Sequence, residues 1–187
     1  YTVILLDTLE DEGNESECIN TLLTRSIDGI ILVPCGERPE SLEKIDEQTP
    51  IVLIDRYFED TSLSYICTDN YRGALDGVKL LIENGHKEIL CIRGVPHSMP
   101  SKERVKGYID ALRESGFDTR SRIAGNDYSI TNGYLETKLA IGSPARPTAI
   151  FALSNTIMLG AIRAIGVSTS LPAVMIRSAN SSTTTTI

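Results

Sequence analysis

Arg104 is the residue of this chain best suited to hold a small polar ligand. It falls in the first turn of a predicted helix over residues 102–115, where a guanidinium can face a crevice and donate two parallel hydrogen bonds to one ligand. The alternative is an ordinary surface arginine. Asn155 follows an apolar run and offers both a donor and an acceptor, but it could equally serve as the N-cap of the helix that begins there.

Four further polar residues are candidates: Ser98, Asp55 and Asp69 fall in or beside loops that follow predicted strands, and Tyr128 lies in a polar loop. Tyr128 could stack on a sugar or base, or simply cover the edge of a core, and Ser98 leaves the same choice open. Asp55 could close a cleft or pair with Arg56, and Asp69 follows another strand. Because ligands of open parallel sheets bind at the carboxyl ends of the strands, this set predicts a site for a sugar, nucleoside or acid.

Residues for catalysis are scarce. His86 follows a glycine that ends a helix, and His97 lies in a loop without a nearby nucleophile motif. Neither histidine has metal-ligand spacing to a cysteine or to the other histidine, and neither a GxGxxG nor a GxxxxGK[ST] pattern is present. We therefore expect no catalytic residue, no metal and no cofactor, and a binding module rather than an enzyme.

The elements that must position these residues are clearest over residues 69–94, DNYRGALDGVKLLIENGHKEILCIRG. Asp69 or Asn70 can cap a helix whose apolar face recurs at helical spacing, and Gly85 suits the left-handed position that ends it. The apolar run 89–92 then shows no polar alternation, which is typical of a parallel strand covered on both faces. The predicted core face of the helix consists of Ala74, Val78, Leu81 and Ile82.

Strands and helices alternate along the rest of the chain, which predicts a doubly wound α/β fold with parallel sheets. Strands are expected at 2–7, 29–33, 51–54, 64–68, 149–153 and 171–178, followed by a polar tail that is disordered or an edge segment. Helices are expected after the acidic stretch 9–17, at 39–47, 102–115 and 131–139, and after Ser154. The first should bury Cys18, Ile19, Leu22 and Leu23, and the last Ile157, Leu159, Ala161, Ile162 and Ile165.

Composition narrows the classes of protein. The 187 residues are 41% hydrophobic and carry a net charge of −7, which argues against the chain wrapping nucleic acid by itself. We expect neither a membrane segment nor a signal peptide. The four cysteines contain no CxxC pair and are expected to be buried free thiols, which fits a reducing cytoplasm.

Several ordered motifs resemble the effector-binding domain of the lactose-repressor and galactose-repressor (LacI/GalR) family of bacterial transcription regulators. They are IDGIILVP (27–34), PIVLIDR (50–56), residues 68–94, RVKGYIDAL (104–112), NGY (132–134) and PTAIFALSNTIMLGAIRAI (147–165). The resemblance implies a periplasmic-binding-protein-like fold of two lobes, a small effector such as a sugar in the cleft, and a homodimer. It also implies ligand contacts from Arg104, Asn155, Tyr128 and Ser98, with Asp55 and Asp69 on the opposite side.

Compared with this family, the sequence lacks some segments. No helix-turn-helix, hinge helix, or first strand and helix of the lobe precedes Tyr1, so operator DNA is expected to be bound by an N-terminal domain outside this chain. A family segment is also missing between Gly166 and Leu171, and we hypothesise that the sequence joins pieces of a longer one. The expected organisation is an N-terminal lobe (1–87), an incomplete C-terminal lobe (88–170), and a closing strand with a polar tail (171–187). A periplasmic sugar-binding protein of a transport system is the alternative function.

Overall fold

The computed structural model describes residues 2–36, 38–117 and 122–166, and the backbone of two strands at 175–178 and 184–186. The chain divides into two compact units, Tyr1–Thr68 and Asp69–Ile187. Each is a mixture of helices and mostly parallel strands, which confirms the predicted α/β class.

The first unit has a three-stranded parallel sheet in the order β1-β2-β3. Its elements are α1 (Glu12–Leu23), β1 (Ile30–Leu32), α2 (Glu40–Asp46), β2 (Ile51–Ile54) and β3 (Ser64–Ile66). Asp11 begins α1 by accepting a hydrogen bond from the Asn14 amide, as an N-cap aspartate does. The core contains Ile19, Ile30, Leu32, Leu42, Ile51, Leu53, Phe58 and Leu63.

The prediction of a strand at residues 2–7 is wrong. Residues 2–8 have no regular secondary structure, and Val3 and Leu5 are 87% and 91% exposed. A strand needs a neighbour for its backbone hydrogen bonds, and none of the described strands of this unit pairs with it. An apolar run is therefore insufficient to predict a strand when its partner is not specified.

The second unit has a five-stranded sheet in the order β5-β4-β6-β7-β8, parallel except for the last pair. Its strands are β4 (Ile89–Ile92), β5 (Arg122–Ala124), β6 (Ala149–Ala152), β7 (Met175–Ser178) and β8 (Thr184–Thr186). Its helices are α3 (Asn70–Glu83), α4 (Met99–Glu114), α5 (Ile130–Gly142) and α6 (Asn155–Gly166).

Helices cover both faces of the central strands, as the unbroken apolar runs predict. Along β4, Ile89 and Cys91 join the core under α3 and α4, while Leu90 and Ile92 join the core under α5 and α6. Strand side chains alternate between faces, so a strand with two covered faces must be apolar throughout. The left-handed φ of 89° at Gly85 likewise matches the predicted helix end.

The boundary between the units lies one helix earlier than the expected division at residues 87 and 88. Ala74, Val78 and Leu81 of α3 share a core with Tyr108 of α4, so α3 belongs to the second unit. Gly107 brings the α4 backbone close to that of α3, since a Cβ there would lie 2.5 Å from the Tyr71 carbonyl oxygen. Close helix packing, which periodicity does not reveal, sets this boundary.

Other details of the second unit also differ from expectation. The three-residue edge strand β5, whose residues are all half-buried, has no counterpart among the predicted strands. Leu159, expected inward, is 41% exposed. Residues 184–186 form an edge strand, which is one of the two alternatives expected for the polar tail. The junction at 166–171 falls largely outside the described residues.

All four cysteines are free, but only Cys91 is buried, so the expectation of four buried thiols is wrong for the other three. In the described part of the chain, no helix combines the length and apolarity needed to cross a membrane.

Candidate functional site

The candidate site lies at the carboxyl ends of β4 and β6 in the second unit, the place where open parallel sheets bind ligands. The residues after β4 lead into α4, which carries Arg104, and those after β6 lead into α6, which begins at Asn155. Three of the predicted site residues form side-chain hydrogen bonds within this part of the unit. They are Arg104, Ser98 and Tyr128. Their roles toward a ligand stay predictions.

Arg104 is buried, with 6% of its surface exposed. Its Nε donates to Asn70 Oδ1 at 2.8 Å, and one terminal nitrogen donates to the Leu153 carbonyl at 2.5 Å. Because α4 begins at Met99, Arg104 lies in its second turn rather than the first. The guanidinium is thus fixed between the start of α3 and the end of β6.

Asn70, which follows a predicted strand beside Asp69 but was not chosen as a site residue, is the side chain that accepts from Arg104 Nε. Asp69 instead caps α3, accepting from the Arg72 amide at 2.9 Å. Asn70 is 3% exposed, and its Nδ2 has no hydrogen-bond partner among the described residues. Leaving a buried donor unpaired costs about 1–3 kcal/mol. A cap followed by a second short polar residue is the signal that could have identified it.

Ser98 and Tyr128 contact each other directly, with 2.9 Å between the two hydroxyl oxygens. Ser98 Oγ also donates to the Val95 carbonyl, and Thr156 Oγ1 donates to the Tyr128 carbonyl. The loop before α5 is therefore tied to the first turns of α4 and α6. Sequence spacing gives no indication of such a contact, because Ser98 and Tyr128 are 30 residues apart.

Asn155 is exposed at the first position of α6. The capping role goes to Ser154, whose Oγ accepts from the Ile157 amide at 3.2 Å and contacts Thr156 Oγ1 at 2.9 Å. The alternative raised for Asn155, that it caps the helix, is therefore not what the structure shows.

Asp55 belongs to the first unit, where it is exposed after β2 with a left-handed φ of 64°. Its amide donates to the Ile66 carbonyl at 3.0 Å. The neighbouring Arg56 forms an ion pair with Glu10 at 2.9 Å, not with Asp55.

The groups gathered in the second unit suit binding of a neutral, hydroxyl-rich ligand. They comprise one guanidinium, one carboxamide and four hydroxyls, one of which is on the aromatic ring of Tyr128. Within the described residues, no group of three or more His, Cys, Asp or Glu side chains is placed to hold a metal ion.

Comparison with known proteins agrees with the fold. Residues 1–173 match the family described as periplasmic binding proteins and the sugar-binding domain of the LacI family. The chain is 33% identical over 167 residues to the HTH-type transcriptional repressor CytR of Escherichia coli (strain K12), covering 87% of this chain and 48% of that protein. It is 30% identical over 165 residues to catabolite control protein A of Priestia megaterium, covering 87% and 50%.

Solved structures give the same result. The crystal structure of a sugar-binding transcriptional regulator (LacI family) from Escherichia coli superimposes with a TM-score of 0.74 at 25% identity, covering 89% of this chain and 62% of that one. The chain spans about half the length of the curated relatives named above.

Proposed function

The chain belongs to the LacI family of periplasmic-binding-protein-like domains, and we propose that it is the effector-sensing part of a DNA-binding transcriptional regulator. Its relatives are transcriptional repressors and regulators. A ligand can shift the equilibrium between two conformations only by binding them with different affinity. Effector binding would act in this way on operator binding, which an N-terminal domain outside this chain would perform.

The proposed effector is a sugar or related metabolite, and the Arg104–Asn70 pair is the observation that carries the proposal. Two side chains from different helices meet there, and Asn70 keeps a buried donor without a protein partner in the described structure. Sugar hydroxyl and ring oxygens would accept such hydrogen bonds. Ser98, Tyr128 and Asn155 are proposed to add contacts around them, with Asp55 and Asp69 as further ligand residues.

The test of this function has two steps. Calorimetric titration of the intact regulator with a set of monosaccharides, disaccharides and nucleosides should identify one compound that binds saturably. That compound should then change the protein's affinity for its operator in an electrophoretic shift assay. Failure of every compound to bind, or binding without any effect on operator affinity, would contradict the proposal.

Arg104→Lys is the most informative variant for this assay. Lysine keeps the positive charge and can still reach a carbonyl, but it loses the planar fork of donors. Alanine would instead leave the buried Leu153 carbonyl without its donor, which would confuse loss of binding with loss of stability. We expect Arg104→Lys to weaken effector binding at least 10-fold and to remain folded.

We further propose that the protein acts in the cytoplasm and catalyses no reaction. The similar proteins include a transcriptional repressor and a LacI-family transcriptional regulator, and cysteines without disulfides suit a reducing compartment. The alternative of a periplasmic transport protein does not fit these relatives. Turnover of the identified effector on prolonged incubation would contradict the non-enzymatic assignment.

Dimerisation is part of the same proposal, and α5 and α6 of the second unit support it. Leu135 and Leu139 on α5 are 50% and 70% exposed, and Leu159 on α6 is 41% exposed. Apolar groups on adjacent helices are typical of surfaces that associate. Sedimentation analysis should show a dimer that Leu159→Glu dissociates, while Thr21→Glu, which adds the same charge on α1, leaves it intact. A monomeric wild-type protein would contradict the proposal.

A further inference from the structure

A cavity of about 450 Å³ lies on the outer side of α4. Its wall on this helix includes Lys102, Lys106, Ile109 and Arg113, which recur every three or four residues and so share one face. Arg104 lies two residues beyond Lys102, roughly 200° around the helix, and points to the opposite side, toward Leu153. Arg104 therefore does not line the cavity, whereas Ser101, three residues before it and roughly 60° away around the helix, does.

Positive charge dominates this cavity. Four of its lining side chains are cationic and one is a carboxylate, in a chain whose net charge is −7. This carboxylate belongs to Asp110, which forms an ion pair with Arg113 at 2.8 Å. A concave surface lined by one sign of charge attracts ions of the opposite sign. The charged lining residues are Arg93, Lys102, Lys106, Arg113 and Asp110.

Arg93 and Lys106 each contact a neutral group, and neither of these contacts neutralises the positive charge. Arg93 Nε donates to the neutral Gly125 carbonyl at 3.0 Å. Lys106 Nζ lies 5.5 Å from the centre of the Tyr71 ring, a contact that attracts a cation but does not neutralise it. Both side chains can therefore stabilise a bound anion.

Ser101 supplies a second, independent observation. It lines the same cavity and is 1% exposed, yet its hydroxyl has no hydrogen-bond partner among the described residues. A buried hydroxyl without a partner is costly, and an anionic oxygen would accept its hydrogen. Ser101 also lies in the first turn of α4, where the helix dipole favours negative charge.

No side chain caps this end of α4. Ser98 occupies the N-cap position, but its hydroxyl bonds to Val95 and Tyr128 and makes no capping hydrogen bond. The backbone N–H groups of the first turn therefore receive no acceptor from a capping side chain. They can donate to an anion in the same region as Ser101 and Lys102.

We propose that this cavity binds a small anion carrying phosphate groups. A phosphate group combines up to two negative charges with three strong acceptor oxygens, which matches a buried hydroxyl donor surrounded by several cations. Ser101 donates to a phosphate oxygen, and Arg93 and Lys106 balance the charge. The volume accommodates a phosphorylated metabolite rather than a single inorganic ion.

The test is calorimetric titration of the intact protein with pyrophosphate at low ionic strength, with citrate as the carboxylate comparison. We expect saturable binding of one pyrophosphate per chain, tighter than citrate. Lys102→Gln/Lys106→Gln should weaken it at least 10-fold, and Ser101→Ala should weaken it measurably. Lys44→Gln/Lys87→Gln removes the same charge at exposed positions outside the cavity and should leave the affinity unchanged.

Three results would overturn the proposal. They are the absence of saturable binding, an equal loss in the control pair, and tighter binding of citrate than of pyrophosphate. Arg104→Lys separates this site from the effector site, because it should keep pyrophosphate binding intact. If Arg104→Lys abolished that binding, the anion would be bound at the effector site and the cavity assignment would fail.

Discussion

Gly94 controls the position of Tyr128, and its replacement by alanine is the most direct test of how the candidate site is built. A Cβ at position 94 would fall on the Tyr128 ring, at Cε1, Cζ and Cδ1. The residue follows β4 without a positive φ, so the backbone itself would accept alanine. The nearest atoms that the Cβ would meet all belong to the ring, which must therefore move.

The cost of Gly94→Ala can be estimated from these contacts. Moving the ring breaks the 2.9 Å hydrogen bond between Ser98 and Tyr128, worth about 0.5–1.5 kcal/mol. Overpacking adds about 1–3 kcal/mol. We therefore expect Gly94→Ala to lower the free energy of unfolding by about 2–4 kcal/mol. With Tyr128 truncated to alanine, the same change should be neutral or stabilise by up to about 1 kcal/mol, as at a compatible glycine.

Urea unfolding followed by circular dichroism measures this difference, since the chain has no tryptophan. The four proteins of the cycle are the wild type, Gly94→Ala, Tyr128→Ala and the double variant, and they should give a coupling energy of at least about 2 kcal/mol. Gly142→Ala is the control, because a Cβ there meets nothing within 4 Å. The reasoning would be refuted if Gly94→Ala cost the same with and without the Tyr128 ring.

Two further predictions concern the core beneath the site. Tyr108→Phe removes the hydrogen bond donated to the Ile89 carbonyl at 2.8 Å, and should lower the free energy of unfolding by about 1–3 kcal/mol. Burial raises the pKa of Tyr108, so this residue favours the fold below its ordinary pKa of about 10 and loses that contribution as the pH rises further. Urea midpoints should therefore fall less steeply above that pH in Tyr108→Phe, and an identical fall would contradict the assignment. Cys91 is fully buried and burial also raises its pKa, so mass spectrometry should find it alkylated well after the other three cysteines; equal rates would contradict the buried placement.

The parts of the fold that the sequence predicts are those with strong local signals. The segment 69–94 combines a cap, a periodic apolar face, a glycine stop and a continuous apolar strand, and α3 and β4 form there as expected. Two strand predictions were wrong for opposite reasons: a strand was expected at 2–7 and is absent there, and β5 is present but was not expected. The first has an apolar sequence but no paired neighbour, whereas β5 has little apolar sequence but is paired with β4.

The rule for strand ends gave most of the candidate site residues, whose roles stay predictions, but it gave none of their contacts. That rule selected Arg104 and Ser98, which the structure places in one unit, whereas Tyr128 was chosen only as an aromatic residue in a polar loop. It could not distinguish Asp69 from Asn70, since both are short polar residues at the start of α3. Their roles differ because the first faces the helix end and the second faces Arg104. Such contacts depend on packing between helices, which no local pattern records.

Asn70→Asp is the measurement that tests the central claim most directly. The carboxylate has the same shape and still accepts from Arg104 Nε, but it lacks the Nδ2 donor that is proposed to bind the effector. For the sugar identified by titration, we predict at least a 10-fold loss of affinity, equivalent to about 1.4 kcal/mol, with the urea midpoint unchanged or raised. Asn20→Asp, on the exposed side of α1, should bind as the wild type does. Wild-type affinity in Asn70→Asp would contradict the assignment of this site.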